Sequence, residues 1–201
     1  MLRAPVSFAL IAVSGLVFLL FWELGFVGLV YLLNFVPVED TAVGRIYGAP
    51  GVDLWRFITP TLLHFGWMHI VFNSLWIWEF GRRIESRLGS VNLLGLYVAS
   101  AIFSNSVQYF VTGASIFGGL SGVVYAFMGF IWAGNTVRPR WIEPLPPAIF
   151  GFMVAWQIIG MVGALEIMGM GAIANGAHLG GLIIGVILGG VFGQLSKLSR
   201  H

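Results

Sequence analysis

Six long apolar stretches run through this chain, and they restrict it to folds that a lipid bilayer can surround. A helix that crosses the hydrocarbon core needs roughly 20 mostly apolar residues. The stretches are Val6–Leu24, Leu63–Phe80, Val91–Val111, Leu120–Asn135, Leu145–Leu165 and Ala177–Leu195. The sequence therefore predicts an all-α polytopic membrane protein, a bundle of six transmembrane helices.

The composition excludes the other broad classes of protein. Hydrophobic residues make up 58% of the 201 residues and charged residues only 9%, where a soluble domain carries about 25% charged residues. A cytosolic globular enzyme and a disordered chain are both ruled out. The 10 Lys and Arg residues are spread along the chain, so they form no basic stripe and nucleic-acid binding is not expected. The absence of Cys excludes disulfides and thiolate chemistry.

The basic residues also orient the bundle, because positive charge collects on the cytoplasmic side of membrane proteins. With the N-terminus inside, eight basic residues fall on inner segments, and only Arg45 and Arg56 fall outside. We therefore expect both termini in the cytoplasm and, in a bacterium, insertion in the inner (plasma) membrane. The first stretch lacks a small-x-small cleavage site, so it is interpreted as a retained span.

The segment between the first two stretches, roughly Gly25–Leu62, is too apolar for a free aqueous loop. It is rich in aromatic residues and is interrupted by Pro37, Pro50 and Pro60. Because Trp and Tyr favour the membrane interface, we expect a large first outer loop that lies in this interface. No long repeat is visible, so residues 1–201 are expected to form a single domain with no separate soluble domain.

Three stretches begin with polar side chains, which are costly at membrane depth and are therefore functional candidates. His69 and Asn73 stand four residues apart, on one face of the second helix, and Ser121 and Tyr125 do the same on the fourth. His178 opens the sixth stretch. Each group has a plainer alternative: polar contacts between helices, a glycine-rich packing seam around the serine, and a gating or proton-relay histidine.

These three groups are expected at one depth in the membrane. His69, Ser121 and His178 precede the next basic residue by 13, 17 and 19 residues, which is roughly 20, 25 and 28 Å of helix. In the predicted orientation all three lie in the outer half of a core about 30 Å thick. The coincidence favours one shared site a little below the outer surface.

Serine, histidine and hydrogen-bond donors are together the parts of an acyl-transfer site. A serine hydroxyl needs a neighbouring base, and a neutral His178 can accept its proton. The Ser121 backbone N–H, the Asn73 side chain and His69 are candidate donors to the oxyanion of a tetrahedral intermediate. No carboxylate adjoins His178 in the sequence, so a Ser–His dyad is favoured over a triad.

Other hydrolytic chemistries match the residues less well. A zinc protease of the H-E-x-x-H type is excluded, because neither His64 nor His69 is followed by Glu. A carboxylate-dyad protease needs two Asp residues at membrane depth, and no Asp lies in a predicted span. A metal site of three His remains open but lacks regular ligand spacing. We expect no metal and no cofactor.

The polar motifs together resemble a known family, the rhomboid intramembrane serine proteases, and in particular its short bacterial members. Two further features are similar to that family: Trp55-Arg56 in the first outer loop, and Glu85 after the second stretch. The resemblance covers nearly the whole chain. The motifs that carry it are His69-x-x-x-Asn73, Gly119-Leu120-Ser121-Gly122 with Tyr125, and His178-x-x-Gly181-x-x-x-Gly185.

The resemblance implies a role for each matched residue. Ser121 is then the nucleophile and His178 the general base. The oxyanion hole is formed by His69, Asn73 and the backbone of Ser121, while Tyr125 supports His178. The remaining matched residues are supporting or structural: Gly119 and Gly122 beside the nucleophile, Trp55, Arg56 and Glu85 as braces, and Gly181 and Gly185 as a helix-packing face.

The resemblance also implies what the protein contacts. The substrates are transmembrane segments of other membrane proteins, cut near the outer face, and the surrounding partner is the lipid bilayer. No obligatory partner subunit is inferred. The fifth stretch and the loop Glu166–Gly176 correspond to a mobile gate and cap.

Two other functions stay open. One is a rhomboid-like protein that binds membrane clients without cutting them; such relatives lack the Ser or the His of the dyad. The other is a transporter or channel, which needs polar groups in the inner halves of the spans. The fourth and sixth stretches are almost wholly apolar there.

Overall fold

Helices dominate the computed structural model, which describes residues 4–163 and 173–198. Helix α1 spans Pro5–Phe18 and continues through a π-helical turn, Leu19–Glu23. Helix α1 and a later helix, Pro147–Met161, both begin at a proline, whose fixed φ and missing N–H suit the first turn. The other helices are α2 (Gly28–Leu33), α3 (Trp67–Trp76), α4 (Arg82–Leu88), α5 (Ser90–Thr112), α6 (Ser121–Val137), α7 (Pro147–Met161) and α8 (Asn175–Leu198).

Helices occupy each of the six apolar stretches, with some differences from the predicted limits. By length and composition, three described helical segments can cross a membrane: Pro5–Glu23, Ser90–Thr112 and Asn175–Leu198. The second helix begins at Trp67 rather than near Leu63, because the residue before Trp67 is a glycine with a positive φ of 131°, Gly66. This helix continues through a π-helical turn into α4 and ends at Leu88.

The segment between α1 and α3 contains regular structure that its composition does not predict. After α2, strands β1 (Val38–Thr41) and β2 (Gly44–Tyr47) form an antiparallel hairpin. Two 3₁₀ turns, Leu54–Phe57 and Thr59–Leu62, then lead toward α3.

Arg56 ties this segment together from the first 3₁₀ turn. Its guanidinium donates hydrogen bonds to the carbonyl oxygens of Tyr31 and Asn34, at 2.8 and 2.9 Å. It also pairs with Asp53 at 3.1 Å and lies 6.0 Å from the ring centre of Trp55. These contacts hold the segment against the end of α2.

Glu85 links the end of α4 to the beginning of α1. Its carboxylate accepts hydrogen bonds from the backbone N–H groups of Val6 and Ser7, at 2.8 and 2.9 Å, and from the hydroxyls of Ser7 and Ser90. Helix N-termini carry N–H groups with no partner inside the helix, so the carboxylate satisfies two of them. Burial raises the pKa of Glu85, but these hydrogen bonds outweigh it and hold the pKa below its ordinary value.

Helix α6 forms the centre of the bundle and packs against α8 with almost no side chain between them. A Cβ atom on Gly181 would lie 1.9 Å from the carbonyl oxygen of Gly122, and one on Gly185 would lie 2.0 Å from that of Ala126. Both distances are far inside normal contact, so the two backbones touch directly. Small residues allow this close approach between membrane helices.

Candidate active site

Ser121 and His178 lie side by side at the beginnings of two packed helices. Ser121 is the first residue of α6, and His178 lies in the first turn of α8. Contact between Gly122 and Gly181 brings these helix ends together. The Nε2 atom of His178 is 2.8 Å from the Oγ atom of Ser121, across 57 residues of sequence. The structure thus joins two residues that the sequence placed only at a common depth.

Tyr125 holds the imidazole ring from one face. It lies one turn after Ser121, and its ring stacks on His178 with 4.7 Å between ring centres and 25° between planes. The Tyr125 hydroxyl donates a hydrogen bond to the carbonyl oxygen of Met153 on α7, at 2.8 Å. The stacked ring is therefore itself fixed at its far end.

Gln157 on α7 contacts the second nitrogen of His178. Its Oε1 atom lies 2.9 Å from Nδ1 of the imidazole. A carbonyl oxygen can only accept a hydrogen bond, so Nδ1 carries the proton of the neutral ring and Nε2 is left to accept from the Ser121 hydroxyl. This partner of the imidazole is an amide and not a carboxylate. The signal that could have found it is a single Gln inside the apolar fifth stretch.

His69 faces the backbone that leads into Ser121. Its Nδ1 atom accepts a hydrogen bond from the Phe65 N–H at 3.3 Å, so in the neutral ring Nε2 is the donor. A Cβ atom on Gly119 would lie 2.6 Å from that Nε2. Gly119 also has a positive φ of 118°, so two features of the site require a glycine there.

The Asn73 amide is the second side-chain donor predicted for the site. Its Nδ2 atom donates to the carbonyl oxygen of His69 at 3.0 Å, and it would lie 3.7 Å from a Cβ atom on Gly119. The first N–H groups of a helix have no acceptor inside the helix, and Ser121 begins α6. Side-chain and backbone donors are thus grouped beside the serine hydroxyl.

Two residues outside the predicted site hold its backbone in place. His64 is fully buried and accepts the Leu120 N–H through Nε2 at 3.3 Å. Gln108, on α5, accepts the Ala177 N–H at 3.0 Å and so fixes the residue before His178. Their polarity is visible in the sequence, but no local motif connects either residue to the helix end that it contacts.

Close packing also surrounds Gly122, the residue after the serine. A Cβ atom there would lie 2.7 Å from the Ser104 hydroxyl and 3.2 Å from the Ala177 carbonyl oxygen.

Among residues 4–163 and 173–198, no group of three or more His, Cys, Asp or Glu is arranged to hold a metal ion. The three-histidine metal site that the sequence left open is therefore not formed within these residues. Glu166 and most of the proposed cap, Glu166–Gly176, lie outside the described residues.

One cavity of about 970 Å³ joins the polar groups. Ser121, His178, His69, Asn73 and Tyr125 all contribute to its wall. Most of its other lining residues are apolar and come largely from α3 and α7: Trp67, Met68, Phe72, Trp76, Phe152, Met153 and Trp156. The cavity therefore combines a polar cluster with walls that suit an apolar chain segment.

Comparison with known proteins adds independent evidence. The family model described as the rhomboid domain matches residues 52–195. The chain is 43% identical over 128 residues to the rhomboid protease GlpG of Yersinia pseudotuberculosis (strain IP32953), covering 64% of this chain and 44% of that protein. It is 38% identical over 175 residues to the rhomboid protease GlpG of Serratia proteamaculans, covering 87% and 58%. The chain thus spans about half the length of the relatives it matches.

The family match and the apolar helices show that this chain is an integral membrane protein. The relatives named above are bacterial proteins. The matched residues include α3, α5, α6 and α7 in full and all the site residues described here. The resemblance read from the motifs is therefore confirmed, and the chain belongs to the rhomboid family.

Proposed function

We propose that this chain is an intramembrane serine protease that hydrolyses peptide bonds in or near transmembrane segments of other proteins. The observation that carries the proposal is the 2.8 Å contact between His178 Nε2 and Ser121 Oγ within a cavity that His69 and Asn73 also line. Relatives named rhomboid protease GlpG support the same activity.

The proposed reaction begins at the contact between Ser121 and His178. As Ser121 Oγ attacks the carbonyl carbon of the scissile bond, its proton passes to Nε2 of His178. Negative charge then develops on the carbonyl oxygen, where the Ser121 N–H, His69 and Asn73 are the donors that stabilise it. His178 next gives its proton to the leaving amine, the C–N bond breaks, and an acyl group remains on Ser121.

Water completes the cycle. A water molecule gives a proton to His178 as its oxygen attacks the acyl carbon, and His178 then returns that proton to Ser121 Oγ as the acid product leaves. Lipid excludes water from the hydrocarbon core, but a cavity with polar walls can hold it. The His, Asn and Ser side chains in the wall of this cavity provide such a surface.

The proposed substrates follow from the cavity lining. The aromatic and Met side chains of α3 and α7 suit an apolar segment that enters from the bilayer. The peptide bonds of a transmembrane helix are hidden by its own hydrogen bonds, so the segment must unwind locally before Ser121 can attack. Cleavage near the end of a substrate helix is therefore favoured.

The proposed topology has six spans, cytoplasmic termini, a first outer loop in the membrane interface, and a site that opens to the outer side of a bacterial inner membrane. It is supported by the excess of basic residues on the inner segments. A Cys introduced at Thr112, the end of α5, should react with a membrane-impermeant reagent in intact cells. One introduced at Arg138, just after α6, should stay unlabelled; the reverse pattern would invert the topology.

A fluorophosphonate probe tests the catalytic proposal, because it reacts with activated serine hydroxyls. We expect labelling of the wild-type protein in mild detergent and none of Ser121→Ala. Thermal unfolding of both proteins checks that they are folded. A folded wild-type protein that resists the probe would overturn the protease assignment and favour a rhomboid-like protein that binds clients without cutting them.

A further inference from the structure

Gln157 stands out because it is a buried amide on an otherwise apolar membrane helix. Its neighbours in α7 are Trp156 and Ile158, and Gln157 is only 8% exposed. A polar group at this depth is costly and marks a functional candidate. The partners of its two amide atoms indicate its role.

The amide pairs at one end only. Oε1 accepts from His178 Nδ1 at 2.9 Å, whereas Nε2 is buried and has no hydrogen-bond partner among the described residues. Most buried polar side-chain atoms have at least one hydrogen-bond partner. In Gln157 the satisfied end is the one that contacts the imidazole.

Helix α7 in fact supports the imidazole at two points. Met153 accepts the hydroxyl hydrogen bond of Tyr125, the residue that stacks on His178. Gln157, four residues later and hence on the same face of α7, holds the edge of the same ring. One face of a single helix therefore restrains both the plane and the rotation of the imidazole.

We propose that Gln157 is a positioning residue that fixes His178 in the Nδ1–H tautomer, with Nε2 directed at Ser121. The proposal rests on the proposed function of the Ser–His pair. A neutral imidazole can carry its proton on either nitrogen, and only the tautomer with a free Nε2 can take the serine proton. The acceptor at Nδ1 selects that tautomer and stops the ring from turning.

Two substitutions separate positioning from packing. Gln157→Met keeps the length of the side chain but removes the acceptor, whereas Gln157→Glu keeps an acceptor oxygen in either protonation state. We expect Gln157→Met to lower kcat about 10- to 100-fold, by analogy with the outer partners of metal-bound histidines, with KM little changed. Gln157→Glu should recover most of this loss.

Ile158→Met is the matched control, because Ile158 is 57% exposed on the same helix; it should leave kcat and KM at the wild-type values. A role in packing alone predicts the opposite order, with Gln157→Met active and Gln157→Glu impaired. That order would overturn the proposal.

The tautomer itself provides a readout that does not depend on activity. In protein labelled with ¹⁵N-histidine, the two ring nitrogens of His178, assigned by comparison with His178→Ala, report which one is protonated. We expect protonated Nδ1 in the wild type and in Gln157→Glu, and a mixture in Gln157→Met. Protonation at Nε2 in the wild type would overturn the positioning role. A wild type that is folded but resists the fluorophosphonate would instead count against the protease assignment, whatever the tautomer.

Discussion

Replacing Gly181 by Ala tests how the helix packing builds the site. The new methyl group would lie 1.9 Å from the Gly122 carbonyl oxygen, while ordinary contact begins at 3.4 Å. The obstructing atom belongs to the backbone, so it cannot rotate away. To accept the methyl group, α6 and α8 must separate by about 1.5 Å at this level.

The separation has a cost in stability and a larger one in activity. Overpacking typically costs about 1–3 kcal/mol, whereas Gly→Ala inside a helix gains about 1 kcal/mol, so we expect a net loss of up to about 2 kcal/mol. His178 lies three residues from Gly181, and the Nε2–Oγ distance would grow from 2.8 Å to about 4 Å, which is too long for a hydrogen bond. Loss of the general base should lower kcat by about 100-fold or more.

The assay compares three proteins in the same detergent. Thermal unfolding gives stability, and cleavage of a fluorescent transmembrane peptide gives kcat. Gly190→Ala is the matched control, because the same methyl group on the same helix meets no atom within 4 Å; it should keep full activity and lose no stability. If Gly181→Ala matched Gly190→Ala in both measurements, the direct backbone contact between α6 and α8 would not be what positions His178.

Three further predictions concern single side chains. Asn73→Ala should lower kcat by about 10²–10³-fold, the usual cost of one oxyanion donor, and an unchanged kcat would exclude this role. Tyr125→Phe keeps the stacked ring and loses the hydrogen bond to Met153. Its kcat should therefore fall by less than about 10²-fold, the usual contribution of a general base. A fall as large as that of Ser121→Ala would contradict a supporting role for Tyr125. The lowered pKa of Glu85 stabilises the fold above the ordinary pKa of Glu, and this stabilisation is lost as the pH falls through the lowered value. Chemical unfolding of the wild type should therefore show a free energy of unfolding that declines below about pH 5. Glu85→Gln should be less stable at neutral pH and should show a weaker decline. Parallel curves of unfolding free energy against pH for the two proteins would refute the link between the pKa of Glu85 and stability.

The sequence predicted that the polar groups of the candidate site lie near one another, because their signals are simple. Spacing alone places Ser121 and Tyr125 on one helix face, and it does the same for His69 and Asn73. The distance along the chain from His178 to the next basic residue places His178 at the same depth in the membrane. Direct packing of α6 on α8 follows from glycines four residues apart, since small residues let helix backbones approach closely.

The parts that were missed depend on contacts distant in sequence. Gln157 reaches His178 across 21 residues, and nothing in the apolar fifth stretch indicates which way its side chain points. Average hydropathy cannot detect the break at Gly66, because it does not report backbone conformation, and Gly66 adopts a positive φ. The hairpin before α3 is held partly by the side chains of Asp40, Arg45 and Tyr31, which come together only after folding.

The central claim is that Ser121 and His178 cut peptide bonds within a bilayer. The most direct test is cleavage of a reconstituted transmembrane substrate in proteoliposomes, with the products identified by mass spectrometry. The wild type should yield two fragments from a cut near one end of the substrate helix, and Ser121→Ala and His178→Ala, each shown to be folded by its thermal transition, should yield none. Cleavage by either variant at the wild-type rate would contradict the account.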